Sequence, residues 1–194
     1  MDEPFELIRR AVELLPADVT AENGRTIADV HDWIRYTEWE MALDVLIEIA
    51  DVHPAPIAFW ALLTEVSRQL YLDSTRRWCE WRGWEARHGT IRATLTLADA
   101  DGGGRNTSFA GDGQLRPLWD IGTRTADGHP DLRVARLWVE FTPSLGPGET
   151  ASVRLAPLRP EHWRHLKLGD VLTMYEAKLP VALAEVIELL PPRT

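Results

Sequence analysis

The sequence predicts an α+β protein of two domains, a small helical bundle followed by an antiparallel β-barrel. Three observations carry this. Apolar residues recur at helical spacing up to about residue 73, alternate in and out after residue 89, and the charge divides near the same place. Residues 1–86 hold 17 acids and 8 bases, a net of −9, whereas residues 87–194 hold 13 of each and a net of zero. With 194 residues, 45% hydrophobic and 26% charged, the chain lies in the ordinary globular range. A chain of this length buries roughly 70% of its unfolded surface, so neither staples nor metal are required. The single Cys79 forms no internal disulfide.

The helices follow in order. Pro4 suits a first helical turn, and Ile8, Ala11, Val12 and Leu15 share one face before Pro16 stops the pattern. Asn23-Gly24 reads as a turn, and Thr26 with Asp29 as the N-cap pair of a second helix, with Ile27, Val30 and Ile34 inward, reaching about Tyr36. A third helix, about Glu38 to Val52, is apolar around most of its circumference. Its one polar arc holds Glu40, Asp44, Glu48 and Asp51, all acids. Pro54 and Pro56 break the chain, and Pro56 opens a fourth helix with Ile57, Trp60, Leu63, Val66 and Leu70 inward. Residues 1–73 are thus expected to form an acidic four-helix bundle.

The strands come next. Ile91, Ala93, Leu95 and Leu97 alternate with Thr90, Arg92, Thr94 and Thr96; Ala135, Leu137, Val139 and Phe141 alternate with Arg136, Trp138 and Glu140; and Ala151, Val153 and Leu155 alternate with Ser152 and Arg154. Glycine- and proline-rich turns at 101–104, 126–128 and 145–148 separate them, the pattern of a barrel or sandwich. The segment from Ala182 to Leu190 mixes helix and strand formers, and local propensity leaves it open. Between the halves, residues 74–88 carry Trp78, Trp81 and Trp84 among Arg76, Arg77, Arg82 and Arg87. Such a linker could stack on nucleic-acid bases. The favoured reading is a short helix whose indoles join the two domains.

Two resemblances are visible. The run from Val30 to Leu46, with Glu38-Trp39-Glu40 and Ala42-Leu43 at its centre, followed by Pro54 and a helix ending Gln69-Leu70-Tyr71-Leu72, resembles the MafI-type immunity proteins of bacterial polymorphic toxin systems. That likeness covers about residues 27–73 and implies a small helical inhibitor. Gly103-Gly104-Arg105-Asn106-Thr107, Leu115-Arg116-Pro117-Leu118 and Leu145-Gly146-Pro147-Gly148-Glu149 resemble the GGRxT, YRPxF and MxPGD segments in the third domain of elongation factor Tu. This second likeness spans about residues 89–190 and implies a β-barrel of six strands or so, closed by residues 182–190. It also implies tRNA contact through Arg105. Asn106 stands where the family has His and Leu115 where it has Tyr, and residues 123–132 are inserted. No phosphate-binding GxxxxGK[ST] loop occurs, so no GTPase domain is expected in these residues.

Signals for chemistry are weak. His162 and His165 have HxxH spacing without further ligands, and Asp99-Ala100-Asp101-Gly102 lacks the later oxygens of a calcium loop. Cys79 and His88 have no oxyanion motif beside them, and no GxSxG or HExxH is present. The expectation is a binding protein, not an enzyme, with no cofactor and no metal. The first residues lack a basic region followed by an apolar one, and no apolar run approaches the ~18 residues of a membrane span, so a cytoplasmic location is expected.

The acidic arc is the strongest clue. Like charges at i, i+4 disfavour a helix by about 0.2–0.5 kcal/mol per pair, so helix stability alone would not select them. One reading is a solvated face. The other is an anionic surface for a basic toxin, with Glu40, Asp44, Glu48 and Asp51 as its centre and Asp29, Asp32, Glu38 and Glu65 extending it. The alternative function is a translation-associated module whose barrel reaches tRNA, the ribosome or a translation factor through Arg105, Arg116, Arg154 and Arg159.

Overall fold

The computed structural model describes residues 3–102 and 105–193 and divides them into two compact units, one ending at Arg87 and joined by Arg193, the other spanning His88–Pro192. Among the described residues the first unit holds five helices: α1 (Pro4–Val12), α2 (Ile27–Arg35), α3 (Trp39–Val52), α4 (Ile57–Gln69) and α5 (Asp73–His88). The fifth falls on the stretch expected as a Trp/Arg-rich linker containing a short helix. The stretch expected as a 74–88 linker is the longest helix of the unit, and it buries Cys79, Trp81, Arg82, Glu85 and Ala86.

Local chemistry sets the helix ends. Pro4 sits in the first turn of α1, where its missing N–H costs nothing, and the Asp29 carboxylate accepts the Thr26 N–H at 2.7 Å to cap α2. Both α2 and α4 end in Schellman turns, with Glu38 N–H donating to the Trp33 carbonyl and Leu72 N–H to the Ser67 carbonyl. The left-handed position of each turn falls on Thr37 (φ 59°) and Tyr71 (φ 59°), where glycine is usual.

Helix α1 packs on α4 and α3, and α2 packs on α3, around Leu7, Ile8, Val30, Leu43, Leu46, Ile49, Phe59 and Leu63. Helix α5 is held by Arg82, whose side chain is 4% exposed. Its guanidinium carbon lies 4.9 Å from the Trp60 ring centroid and 5.3 Å from that of Trp78, and its Nε is 3.1 Å from a Glu85 carboxylate that is itself 3% exposed. It also donates to Asp51 of α3. Trp81 Nε1 donates to the other Glu85 oxygen at 3.0 Å. Gly83 eases the approach, since a Cβ there would stand a tight 3.3 Å from Trp60 Cβ.

The second unit is a closed antiparallel barrel of six strands in the order β1 (Thr90–Leu97), β6 (Thr150–Pro157), β4 (Arg133–Val139), β3 (Leu118–Asp120), β7 (Val171–Glu176) and β8 (Leu179–Leu190). A two-stranded sheet of β2 (Phe109–Ala110) and β5 (Ser144–Leu145) stands beside it. Ala93, Leu95, Leu137, Val139, Val153, Leu155, Met174, Ala184 and Val186 fill the interior. Residues 182–190, left open by propensity, lie in β8, where pairing with both β1 and β7 overrides the helix formers. Phe141 departs from its expected inward place. The alternation of β4 stops at Val139, Glu140 N–H donates to the Ser152 carbonyl, and the chain turns through Phe141 at φ 65°, leaving its ring 93% exposed.

Tyr71 is 91% exposed, so replacing it removes little packing. We expect Tyr71→Gly to stabilise the protein by about 0.5–1 kcal/mol in urea unfolding, because glycine relieves the left-handed strain. A destabilised variant would show that the tyrosine ring contributes more than its backbone costs.

Candidate functional site

Helix α3 carries Glu40, Asp44, Glu48 and Asp51 along its outer arc because its other positions, from Ala42 to Ala50, are drawn into the core. The four acids do not share one fate. Glu48 accepts from Arg25 Nη1 at 3.2 Å and from Asn23 Nδ2 at 3.0 Å, and Asp51 accepts from Arg82. The C-terminal half of the arc is therefore partly neutralised from within the helical unit, by bases that lie outside the arc itself. Glu40 and Asp44 are exposed. Partial burial and then the Glu40 and Glu48 carboxylates hold the Asp44 carboxyl above its ordinary value, and Arg25 alone opposes them.

Beside the arc lies an open pocket of about 310 Å³ lined by Glu22, Asn23, Glu48, Asp51 and Val52. Its wall carries three carboxylates, with Arg25 and Arg82 on two of them. Glu22 was not among the residues singled out by periodicity, because it precedes the Asn23-Gly24 turn and belongs to no helix. Only the fold brings it to the end of α3.

Several residues expected to widen the acidic surface have internal partners. The Asp29 carboxylate caps α2, and hydrogen bonds from the Thr26 backbone and hydroxyl lower its pKa. Asp32 pairs with Arg35 at 2.7 Å. Glu65 accepts from Arg68 at 2.6 Å and from Gln69 at 2.8 Å, which draws its carboxyl down to about 2. Glu38 stays exposed at the N-cap of α3. The site thus contracts to Glu38, Glu40 and Asp44 together with the pocket.

The barrel arginines are also rearranged. Arg105 donates to Glu176 and to the Thr107 carbonyl, with its guanidinium 5.1 Å from the Phe109 centroid. Its expected role as a tRNA contact is therefore opposed by an internal carboxylate. Gly103 and Gly104 of that motif lie outside the described residues. Arg154 donates to Glu140 at 2.8 Å, and Arg92 bridges Glu140 and Glu188 at 3.0 and 3.1 Å. Arg116 and Arg159 are exposed. The Trp-rich segment does not offer a stacking platform at its centre, since Trp81 is buried and Trp78 faces Arg82.

The remaining chemical candidates have structural surroundings. Burial pushes the Cys79 thiol up to about 12, so the thiolate is scarce at neutral pH. Both ring nitrogens of His165 face carbonyl oxygens, His162 O at 3.0 Å and Ile121 O at 2.8 Å. Among the described residues no group of three or more His, Cys, Asp or Glu is placed to hold a metal ion, and no helix is long and apolar enough to cross a membrane.

No family model matches the chain, and no curated protein matches it. The likenesses to immunity proteins and to the elongation factor rest on the residues quoted above.

Asp44 has a raised folded-state pKa, so its ionisation opposes folding once the pH climbs through that value. We expect Asp44→Asn to stabilise the protein by a few tenths of a kcal/mol at pH 7, roughly the size of one like-charge helix pair. The gain should vanish below pH 3.8, where the wild-type carboxyl is protonated folded or unfolded. Equal wild-type and variant stabilities across pH 3–7 in urea unfolding would mean that Asp44 bears no uncompensated charge.

Proposed function

We propose that the helical unit is a non-catalytic binding module that neutralises a basic bacterial toxin domain, acting as an immunity protein. One observation carries the reading. Glu40 and Asp44 lie one helical turn apart at the exposed end of the arc, where partial burial and then neighbouring carboxylates raise the Asp44 pKa, although other acids of the unit, among them Asp32, Glu48, Asp51 and Glu65, have arginine partners. A surface needed only for solubility gains nothing from placing like charges one turn apart on a helix. A surface that meets a cation does, because the repulsion is relieved on binding and the field accelerates encounter.

The pocket at the other end of the arc suits one cationic side chain of such a partner. Its carboxylates already bind guanidinium groups of this chain, and an incoming Lys or Arg would share or displace them. A toxin domain that cleaves nucleic acid must itself be basic to hold phosphates, and an acidic inhibitor covers that surface by charge. The six-stranded barrel is, in this reading, an elongation-factor-like module that widens the contact or attaches the inhibitor to a second partner. Direct tRNA binding by the barrel is less favoured, since Arg105 and Arg154 are already engaged by Glu176 and Glu140.

The test is co-expression of the full chain with the products of the adjoining genes, followed by stopped-flow mixing with the basic product that it binds. Reversal of charge at Glu40 and Asp44 should slow association about tenfold at low salt, within the range that steering supplies. Reversal at Asp32, already paired with Arg35, should change it much less. Equal association rates for all three proteins would remove the steering argument.

A further inference from the structure

The second unit holds a pocket that the acidic surface does not involve. It measures about 220 Å³ and lies between the start of β4 and the segment after β6, lined by Leu132, Arg133, Val134, Leu158, Arg159 and Trp163. Its walls are joined by the Leu158 N–H donating to the Val134 carbonyl at 3.1 Å. Two lining residues have a buried N–H without an acceptor among the described residues, Trp163 at Nε1 and Arg133 at Nε. Trp163 is 3% exposed, so its indole nitrogen has no ready access to bulk water.

A buried donor without an acceptor is unfavourable, and most native proteins avoid it. Two such donors on residues that line one small pocket point to an acceptor supplied from outside the chain. Charge identifies the class. The lining residues include two guanidinium groups and no carboxylate. Asp131 holds Arg133 through its Nη2 and neutralises one of them, while Arg159 at the exposed rim leaves the pocket cationic. A neutral carbonyl would satisfy one N–H, whereas an oxyanion offers several lone pairs and the opposite charge.

We infer that this pocket binds an oxyanion, a phosphate or carboxylate group, through Arg133, Arg159 and the Trp163 indole N–H. The Trp163 indole proton is the reporter, assigned by triple-resonance NMR on the full chain. Titration with inorganic phosphate and, separately, with acetate, at ionic strength held constant by chloride, distinguishes the two sources. We expect a saturable downfield movement of this proton with at least one of them, and Arg159→Gln should weaken that response about tenfold, the scale of a charge-assisted hydrogen bond. Because Arg159 is exposed, that variant keeps the barrel intact, which the dispersed methyl resonances verify. A Trp163 proton that ignores both anions, or an Arg159→Gln response equal to the wild type, would overturn the site.

Discussion

A buried guanidinium organises the helical unit. Arg82 is stacked between Trp60 and Trp78 and cannot remain without carboxylates once water is removed, so Glu85 and Asp51 are held to it. This cation fixes α5 against α3 and α4, and it takes one acid of the α3 arc out of circulation. Arg25 does the same for Glu48 from the turn before α2. What is left uncompensated on the surface is therefore a consequence of how the core solves its own charge problem. Glu40 and Asp44 are left at the exposed end of the arc, with Arg25 only partly offsetting the causes that raise the Asp44 pKa.

The barrel shows the same economy in another form. Glu140, 8% exposed, sits between Arg92 and Arg154, and Arg92 extends to Glu188 across the seam of β1 and β8. Closing six strands leaves the barrel itself without an open sheet edge among the described residues, and the ion network ties three of those strands on the outer face. Several cations that a nucleic-acid surface would need are paired here, Arg92 and Arg154 with Glu140 and Arg105 with Glu176. Positive charge survives mainly at exposed positions such as Arg116 and Arg159, the second of which borders the Trp163 pocket.

Much of the architecture was legible. Apolar spacing located α1 to α4, and alternation located β1, β4 and β6, because each buries one regular face. The short β3, three residues long, gave no period to read, and β8 needed its two neighbours to become a strand. A short helix was expected where α5 lies, but its 16-residue length and its buried Arg82–Glu85 pair were hidden by composition, since arginines and tryptophans resemble a linker when their partners are unknown. Gly83, alone among them without a side chain, was the available sign of a close helix approach. The acidic arc was visible as a pattern, but its division into paired and unpaired halves was not, because Arg25 and Arg82 lie 23 and 31 residues from the acids they neutralise. Phe141 failed as an inward residue for a related reason. Alternation says nothing about where a strand stops.

The proposal depends on Asp44 holding charge that the chain itself only partly offsets, and carbon-detected NMR titration of that carboxyl measures this directly. In the free full-length protein the account requires a midpoint above 3.8, falling when an arginine-rich peptide is added and binds. A midpoint at or below 3.8 without the peptide, or one unmoved by its binding, would contradict it.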